Sequence, residues 1–479
     1  MAEKEKLPEA LPAKKEDFSK WYTSILEAAG LLDKRYNVKG CFVWLNYGYE
    51  TMLNIKAVWD KEFKTNGYKE MYFPLLVPKE YAEINDKWWN GFKSQAFWVK
   101  GLDEPEPMYI LRPTGEPAMY PMFHLWIRSY NDLPLRIYET VSSFRYETGH
   151  TRPIIRDREI TVWYEIHTCH TTKEESEQEI VKHMEMVDKI WEKCAVVPLK
   201  VYKPEWECFP GAVGAVEYYS IMPNGKAMEN GSFNNLGQAY AKKFEIKFRD
   251  KDEREKYAWM TCTGNGARVL AALIGEHGDD KGLVMPPAVA PVHAVIVPIF
   301  NQDTKDEVMK HSEKLFAKLK DEFKMEIDRR DIRPGAKFYD WELKGVPLRI
   351  EIGPKDIAEK SVVVARRDNG KKEKVKEADL GKQMKKLLDE IQAEMYARAK
   401  KNFAARIVEA HSKEEIKKAM NDKKVAKVYW CKEGQCWDEI KAIMEGIEMF
   451  GTDLHKAKEG KCAICGKPAT IIGYVANTY

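Results

Sequence analysis

The stretch FRYETGHTRPIIRDRE, residues 144–159, sets arginines on both sides of a short loop that contains Gly149 and Pro153. Where a chain lacks a P-loop, phosphoryl groups are commonly held by arginine, whose planar guanidinium donates paired hydrogen bonds. Arg145 and Arg156 would lie on adjacent antiparallel strands and could hold one phosphate between them. A charged hairpin on a solvated face is the commoner meaning of such a pattern. The stretch therefore favours an antiparallel nucleotide site only together with the rest of the chain.

Apolar periodicity outside this stretch predicts many antiparallel strands interleaved with helices, as in an α+β fold and not in a parallel βαβ series. Helices are predicted over residues 18–32, 49–66 and 174–194 and from residue 268, and strands over 68–77, 108–112, 136–147, 160–167 and within 213–250. No G-x-x-x-x-G-K-[ST] loop occurs in the sequence, so a nucleotide site cannot rest on a P-loop.

Composition and pattern divide the chain into four parts. Residues 1–17 are charged and predict a flexible arm, and residues 18–287 form the α+β part that carries the arginine stretch. Pro286-Pro287 marks a boundary, after which strands and helices alternate through residues 288–402 as in a small α/β domain. Residues 403–479 are predicted to form a further folded unit that ends in a cluster of cysteines.

The charge and hydropathy of the whole chain restrict its class. The 479 residues include 78 lysines and arginines against 75 acidic residues, so a nucleic-acid partner would be bound by local patches and not by a global positive field. No run of about 18 apolar residues occurs, and the N-terminus lacks the apolar core of a secretory signal. We therefore expect no membrane partner and a cytoplasmic location.

Four of the nine cysteines are grouped by short spacing, as Cys431-x4-Cys436 and Cys462-x2-Cys465. In a cytosolic chain, such pairs more often ligate a metal than form disulfides. Two short pairs of thiolates are the ligand set of a closed tetrahedral Zn²⁺ site, which is structural and not catalytic. The cluster lies far from the arginine stretch in sequence. We therefore expect the metal to support residues after about 403 and not the nucleotide site.

Several further motifs are specific enough to indicate a family. They are Arg112-Pro113-Thr114-Gly115-Glu116, Glu165-Ile166-His167, Gly266-Ala267-Arg268 at a helix start, Pro334-Gly335-x-Lys337-Phe338, Trp341 to Pro347 and the terminal Tyr479. With the arginine stretch and the four cysteines, they resemble prolyl-tRNA synthetases of the archaeal and eukaryotic type, which are class II aminoacyl-tRNA synthetases. Residues 67–74 resemble the first motif of the class, which builds its dimer interface. The resemblance covers nearly the whole chain after residue 17.

This resemblance implies a catalytic domain built on the antiparallel sheet of class II synthetases, an α/β anticodon-binding domain and a small C-terminal zinc-binding α+β domain. It implies an enzyme, a proline–tRNA ligase that uses ATP to join L-proline to tRNA(Pro) through a prolyl-adenylate. Mg²⁺ would accompany ATP, Zn²⁺ would be structural, and the protein would be a homodimer. The segment between the second and third motifs is too short for the editing insertion of the bacterial type.

The resemblance also assigns roles to individual residues. Arg145 would be catalytic by holding the ATP α-phosphate and the proline carboxylate, and Arg268 by facing the γ-phosphate. The ATP site would further include Glu147, Arg156, Asp157, Glu229, Ser232 and Gly266. The proline site would include Thr114, Glu116, Trp163, Glu165, His167, Phe92, Phe209 and Asn234 as well as Arg145. Guanines of the proline anticodon would be read by Glu342, Arg349 and Lys371.

The sequence departs from the family pattern around the amino acid and the nucleotide, at Gln95, Glu229, Ser232, Asn234 and Gly266. These departures leave two alternatives open. One is a paralogue of the same fold that activates another amino acid or serves a carrier protein. The other is a catalytically inactive RNA-binding homologue. Without the resemblance, the aromatic positions of the proline site would be interpreted as plain core packing.

Overall fold

The computed structural model describes residues 11–479. The predicted arm, residues 1–17, therefore lies largely outside the described residues. At its described end, the backbone N–H of Lys14 donates to Asp280 at 2.8 Å, and the side chain of Asp17 accepts from the backbone of Lys20. The Asp17 contact caps the first helix, because it satisfies an N–H that has no partner within the helix. Across residues 11–479, no helix combines the length and the apolar character that crossing a membrane requires.

Two helices, α1 Phe18–Ala28 and α2 Asn46–Thr65, open the described chain, with β1 Leu32–Asp33 and β2 Val43–Trp44 between them. Helix α1 buries Trp21 and Tyr22 completely. It ends before residue 32, where the pattern predicted its end, because Gly30 takes a φ of +71° that stops a right-handed helix.

The part of the chain up to residue 287 is built on a large, mainly antiparallel sheet. Its further elements are β3 Lys69–Glu70, β4 Leu76–Pro78, α3 Lys79–Glu83, α4 Asp86–Phe92, β5 Phe97–Val99, β6 Tyr109–Leu111, α5 Glu116–Trp126, β7 Leu135–Phe144, β8 Glu159–His170, α6 Lys173–Lys193, β9 Leu199–Tyr202, β10 Gly214–Ile221, β11 Ala227–Gly237, α7 Ala239–Lys243, β12 Lys247–Arg249, β13 Glu255–Tyr257, β14 Trp259–Asn265 and α8 Arg268–His277. The central strands run β9-β10-β11-β14-β8-β7-β3 across the sheet. The α+β prediction is confirmed.

Two predicted strands differ from the structure. The strand predicted over residues 68–77 is split into β3 and β4, because Pro74 cannot donate to a ladder and the backbone of Phe73 instead donates to the carboxylate of Glu139 at 3.3 Å. The strand predicted over 136–147 ends at Phe144, and β8 begins at Glu159, so Arg145 and Arg156 both lie in the connection between the two strands and not on them.

The residues after 288 begin with a five-stranded mixed sheet in the order β16-β15-β17-β18-β19. Its elements are β15 Ala294–Pro298, α9 Lys305–Leu319, β16 Met325–Ile327, α10 Pro334–Leu343, β17 Leu348–Ile352, α11 Pro354–Ala358, β18 Ser361–Arg366, β19 Lys372–Lys376 and α12 Leu380–Ala405. The buried face of this sheet packs under α9 and α12, whose apolar residues share one core with it. This is the alternation of strand and helix that the sequence predicted.

The last part of the chain is joined to the large antiparallel sheet. Its elements are β20 Ile407–Glu409, α13 Lys413–Asn421, β21 Val425–Trp430, α14 Gly434–Lys441, β22 Ile447–Thr452, β23 Gly460–Lys461, β24 Pro468–Ala469 and β25 Ile471–Asn477. Strand β22 pairs with β9 at Thr452 and Tyr202, which makes one eleven-stranded sheet of both parts. The part of the chain that carries the cysteines is therefore continuous with the sheet that carries the arginine stretch, with β9, β10, β11 and β14 between β22 and β8.

Strand register brings the side chains of four neighbouring strands onto one face. Asn234 of β11 pairs with Cys262 of β14, and Cys262 pairs with His167 of β8. One row away, Gly264 of β14 lies between Ser232 and Glu165. Directly paired residues in antiparallel strands point to the same side of a sheet. This polar face is the floor of the cleft described next.

Candidate active site

A cleft of about 290 Å³ opens over this face of the sheet. Most of the predicted ATP and proline residues line it: Phe92, Thr114, Arg145, Glu147, Arg156, Asp157, Trp163, Glu165, Phe209, Glu229, Ser232, Asn234 and Arg268. Glu116 and His167 are completely buried beneath the cleft, and Gly266 lies behind Trp163. The structure thus gathers the predicted side chains at one place in two layers, one that faces the cleft and one that supports it.

Arg145 follows the last residue of β7 and points into the cleft. Its Nε donates to the carbonyl oxygen of Pro113 at 3.3 Å, and its guanidinium lies 5.5 Å from the ring centre of Phe92. Burial and the neighbouring charge of Arg268 lower its pKa, although it stays protonated. Within residues 11–479 no carboxylate forms an ion pair with Arg145. The guanidinium therefore keeps donors available for an anion in the cleft.

Arg268 begins helix α8 and faces the same cleft from the opposite side. Its Nε donates to the carbonyl oxygen of Ile155 at 2.9 Å, and its Nη1 donates to the backbone of Glu229 at 2.7 Å. The Glu229 carboxylate lies 3.6 Å from the same nitrogen and its side chain is 44% exposed. Two arginines that are held by carbonyl oxygens, with a half-exposed carboxylate beside one of them, suit a polyanion and its divalent cation.

The remaining residues of the arginine stretch have different tasks in the structure. Arg156 is exposed and its Nη2 donates to the C-terminal residue, Tyr479, at 3.2 Å. The backbone N–H of Ile154 is shared between the two carboxylate oxygens of Asp157, and the φ of +69° at Ile154 is unusual for a branched residue. Glu147 lines the cleft, and its carbonyl oxygen accepts from Arg158. Asp157 therefore fixes the loop as well as facing the cleft.

Glu165 is the centre of the hydrogen-bond network on the floor. One carboxylate oxygen accepts from the Thr114 hydroxyl and from the Trp163 indole, both at 2.8 Å. The other accepts from the backbone of Gly115 at 2.7 Å and lies 3.3 Å from His167. Burial alone would raise the pKa of Glu165, but the hydrogen bonds and the His167 charge hold it at about 2. Glu165 is therefore a fixed negative charge beneath the cleft.

Glu116 is the second buried carboxylate of the floor. It accepts from the indole nitrogen of Trp88 and from the thiol of Cys262, both at 3.3 Å. Burial and the negative charge of Glu165 raise the pKa of Glu116. A ligand ammonium near these two carboxylates would be held by charge-assisted hydrogen bonds.

Aromatic side chains form the walls above the polar floor. The rings of Phe92 and Phe209 lie 5.9 Å apart across the cleft, and Trp163 lines it from β8. Phe92 is buried, whereas Trp163 and Phe209 are only half-buried. The faces of these rings that line the cleft form a flat apolar surface. A small ring or an aliphatic side chain could pack against it.

Three of the five departures from the family pattern, Glu229, Ser232 and Asn234, line the cleft, and Gly266 lies behind Trp163. Asn234 is 1% exposed, its Nδ2 donates to the Ser232 hydroxyl at 2.9 Å, and within the described residues its Oδ1 has no hydrogen-bond partner. Gln95 holds the arginine stretch through its backbone, because its carbonyl oxygen accepts from Tyr146 at 2.8 Å. Asn234 therefore lies on the floor of the cleft, whereas Gln95 acts through its backbone at the rim.

Sequence reasoning missed several residues of the cleft, among them three on the strands of its floor. Cys262 bonds Glu116 from β14, Gly264 leaves room for the Trp163 indole, and Glu217 lines the cleft from β10. Burial and the nearby charge of Glu229 raise the pKa of Glu217 to about 7, against the opposing effect of Lys203. Strand register places all three, and the alternation within 213–250 and 259–265 was the signal that could have found them.

Donor atoms of Glu116, His167 and Cys262 lie within 4.8 Å of one another, as in a metal site. However, each already has protein partners. The two ring nitrogens of His167 contact the Tyr120 hydroxyl at 2.9 Å and Glu165 at 3.3 Å, and Glu116 bonds Trp88. We therefore interpret this group as part of the hydrogen-bond network.

The four C-terminal cysteines converge as their spacing predicts. Their sulfur atoms lie within 4.8 Å of one another, and Cys431 Sγ is 3.7 Å from Cys436 and 3.6 Å from Cys465. Tetrahedral Zn²⁺ with bonds of about 2.3 Å separates its thiolates by about 3.8 Å, whereas a disulfide requires about 2.05 Å. The donor set and its spacing thus fit zinc, with no open position for a substrate.

Of the three predicted anticodon residues, two share a second cleft. Arg349 Nη1 donates to Glu342 at 2.9 Å, and both line this cleft beside Lys372. Lys371 lies outside it, next to a separate depression, and its backbone donates to Asn369. The structure therefore brings together Glu342 and Arg349 and places the neighbouring lysine, Lys372, with them.

Comparisons with known proteins cover the whole described chain. The family model of the tRNA synthetase class II core domain (G, H, P, S and T) matches residues 97–277, that of the anticodon binding domain matches 293–387, and that of the C-terminal part of prolyl-tRNA synthetase matches 413–479. Each of the three parts of the chain is therefore matched separately.

Full-length relatives and a solved structure agree with these matches. The proline–tRNA ligase of Thermococcus kodakarensis is 40% identical over 97% of this chain and 98% of its own, and that of Methanosarcina mazei is 39% identical over the whole of both. The structure of Giardia lamblia prolyl-tRNA synthetase in complex with prolyl-adenylate is 33% identical, with a TM-score of 0.94 over 98% of this chain and 100% of that one. The chain belongs to the prolyl-tRNA synthetase family of class II aminoacyl-tRNA synthetases.

Proposed function

We propose that this protein is an ATP-dependent ligase that joins L-proline to tRNA(Pro) through a prolyl-adenylate. The observation that carries the proposal is full-length similarity to the Giardia lamblia synthetase, which is in complex with prolyl-adenylate. The cleft agrees with it, because unpaired guanidinium donors, buried carboxylates and aromatic walls meet there. Adenylate formation needs these three features to hold a phosphate, an ammonium and an apolar ring.

In the proposed first step, a carboxylate oxygen of proline attacks the α-phosphorus of ATP, and the bond to pyrophosphate breaks. Arg145 stabilises the charge that grows on the α-phosphate, and Arg268 holds the departing phosphates. Glu116 and Thr114 bind the proline ammonium, and Phe92, Trp163 and Phe209 enclose the ring. In the second step, a ribose hydroxyl of the tRNA 3′ end attacks the prolyl carbonyl and AMP leaves.

Divalent cation is proposed to bind with ATP beside Glu229, whose half-exposed carboxylate faces the cleft. Mg²⁺ would supply charge neutralisation for the phosphates when bound. The roles of Glu147, Arg156, Asp157 and Ser232 are proposed on their position at the cleft, where they would surround the nucleotide. Zn²⁺ is proposed to be structural, held by Cys431, Cys436, Cys462 and Cys465.

The tRNA is proposed to reach from the cleft to the second cleft, where Glu342 and Arg349 would read guanines. Arg349 can bond guanine O6 and N7, and Glu342 can accept from the guanine amino group. Because Lys372 lies in this cleft and Lys371 does not, we assign the third contact to Lys372 instead of Lys371.

A protein with this substrate would work in the cytoplasm. We propose domain limits near residues 287 and 402, the second of which lies in the last turn of α12, Leu380–Ala405.

A homodimer is proposed from an apolar surface around the first motif. Tyr72 is 72% exposed, Leu76 is 47% exposed, and Trp126 is 41% exposed at the end of α5. We propose that these exposed apolar side chains are covered by the partner in the dimer. Light scattering at micromolar concentration would give twice the mass of the chain, and a mass of one chain would contradict the proposal.

The direct test of the proposed function is charging of tRNA(Pro) with labelled proline in the presence of ATP. The paralogue alternative expects exchange of pyrophosphate with another amino acid and no charging of tRNA(Pro). The inactive alternative expects binding of tRNA without exchange for any amino acid. Release of AMP in step with prolyl-tRNA formation would support the ligase, and its absence would reject it.

A further inference from the structure

One loop touches both the amino-acid side of the cleft and the cysteine cluster. It is residues 203–213, between strands β9 and β10, and we name it the bridging loop. Phe209 in this loop forms a wall of the cleft. Trp206, three residues earlier, is 60% exposed and contacts the C-terminal part of the chain. The two side chains point to different parts of the molecule from one short segment.

Trp206 packs against two tryptophans that flank the cysteines. Its ring centre lies 5.9 Å from that of Trp437 and 6.4 Å from that of Trp430, and both pairs are edge-to-face. Trp430 and Trp437 are 5.4 Å apart and nearly buried. They precede Cys431 and follow Cys436 directly in the chain. The position of this aromatic pair therefore depends on how the two cysteines are held.

The start of the bridging loop is fixed to the same part of the chain. Lys203 Nζ donates to the carbonyl oxygen of Phe450 at 3.0 Å. Beside it, a Cβ added at Gly451 would meet Val201 at 2.4 Å, so strands β22 and β9 are in close contact. The loop thus rests on the C-terminal part at its base and at Trp206.

The other end of the loop is fixed to the cleft. The hydroxyl of Tyr240 donates to the carbonyl oxygen of Pro210 at 2.6 Å, and a Cβ added at Gly91 would meet the Pro210 ring at 2.8 Å. Phe209 contacts Phe92, which follows Gly91 in helix α4. A shift of the loop at Trp206 would therefore be transmitted to Phe209 over only three residues.

We propose that Trp206 is a positioning residue through which the metal-loaded cysteine cluster sets the affinity of the cleft for its amino acid. Metal binding to four thiolates orders the local chain, because those thiolates have no common partner without it. Loss of the metal would move Trp430 and Trp437, release Trp206, and loosen the Phe209 wall. Within residues 11–479, no side-chain hydrogen bond or ion pair joins Arg145 or Arg268 to residues 203–213. This inference rests on the proposed function for the identity of the amino acid.

The first test compares Trp206→Ala with Trp206→Phe and with Trp44→Ala as the control for loss of a partly exposed tryptophan elsewhere. An edge-to-face pair is weak individually, so we expect the KM for proline in pyrophosphate exchange to rise about three- to tenfold in Trp206→Ala. The KM for ATP should stay unchanged, and Trp206→Phe should restore most of the affinity. Equal changes in both KM values, or none, would overturn the inference.

The second test does not depend on activity. Amide hydrogen exchange of the full chain is followed by mass spectrometry with zinc bound and after its removal by a chelator. We expect faster exchange in residues 203–213 after removal and unchanged exchange in residues 144–159. Trp206→Ala with zinc bound should show the same increase in amide hydrogen exchange at residues 203–213. This sample keeps the test valid if removal of zinc unfolds more of the chain than the loop. Unchanged exchange of the bridging loop in both samples would overturn the inference. If no amino acid supports exchange of pyrophosphate with ATP, the proposed function itself is rejected instead.

Discussion

Trp163 lies so close to Gly266 that a Cβ added at residue 266 would be 2.9 Å from Cε3 of the indole. On the other side, a Cβ at Gly264 would be 2.5 Å from Cζ2 of the same ring. The indole in this position donates to Glu165 at 2.8 Å. Glycine at position 266, where the family pattern has a larger residue, thus leaves space for the Trp163 indole. A larger residue there would displace the ring.

We expect Gly266→Thr to raise the KM for the amino acid about tenfold, which corresponds to about 1.4 kcal/mol and is typical of overpacking. Displacement of the Trp163 indole would remove its hydrogen bond to Glu165. Gly335→Thr is the matched control, since a Cβ there meets no atom within 4 Å. The KM of both variants for the amino acid is measured by pyrophosphate exchange. An unchanged KM in Gly266→Thr would show that Trp163 has room to move.

Replacing Arg145 with alanine is expected to lower the rate of pyrophosphate exchange by about 10²–10³, because one oriented donor to the reacting phosphate is lost. Its fold should persist, since the side chain makes one hydrogen bond to the protein, at Pro113. Arg35→Ala, at an 88% exposed side chain, is the control. Near-normal exchange in the Arg145 variant would remove this residue from the mechanism.

The buried carboxyl of Glu217 is expected to make stability depend on pH. Its pKa is raised to about 7 in the folded protein from an ordinary 4.5, so the folded state binds its proton more tightly. The free energy of unfolding then falls as pH rises from about 4.5 through 7, by at most about 1.4 kcal/mol per pH unit from this group.

Glu217→Gln should remove that part of the slope, whereas Glu205→Gln, at an exposed position nearby, should keep it. The denaturant midpoint measured at pH 5, 6, 7 and 8 compares the two variants. The same pH slope in wild type and in Glu217→Gln would mean that Glu217 is ionised throughout this range.

We expect one zinc ion per chain in protein purified under reducing conditions, because four sulfur atoms converge at the spacing of a tetrahedral site. Cys436→Ser should lower the zinc content well below one, and Cys41→Ser, a cysteine outside the cluster, should not. Elemental analysis decides this. Protein without zinc in the wild-type chain would refute the metal assignment.

Much of this architecture could be predicted from the sequence because it follows local rules. Helix α6 lies within one residue of the predicted bounds of 174–194, and strand β6 lies within one residue of 108–112, because apolar periodicity marks both. The arginine stretch was also found, since motif spacing is itself local. The floor of the cleft was only partly found. Cys262 and Glu217 reach it through strand register, which a single sequence does not specify.

Tertiary packing decided the remaining differences. The contact of Trp206 with Trp437 joins residues 231 positions apart, and no periodicity signals it. Lys371 and Lys372 are adjacent in sequence, but only Lys372, the first residue of β19, also lines the cleft that contains Glu342 and Arg349. In each case, the residue type was visible in the sequence and its neighbours were not.

The central claim is that the cleft activates proline, and amino-acid-dependent exchange of pyrophosphate with ATP tests it most directly across all twenty amino acids. We expect proline to give the highest rate, with measurable activation of alanine, because small apolar side chains are separated by only about 1–3 kcal/mol per methylene. Reshaping at Asn234 should loosen this selection without changing the favoured substrate. If proline gives no exchange above background while another amino acid does, the proline assignment is wrong and the paralogue alternative replaces it.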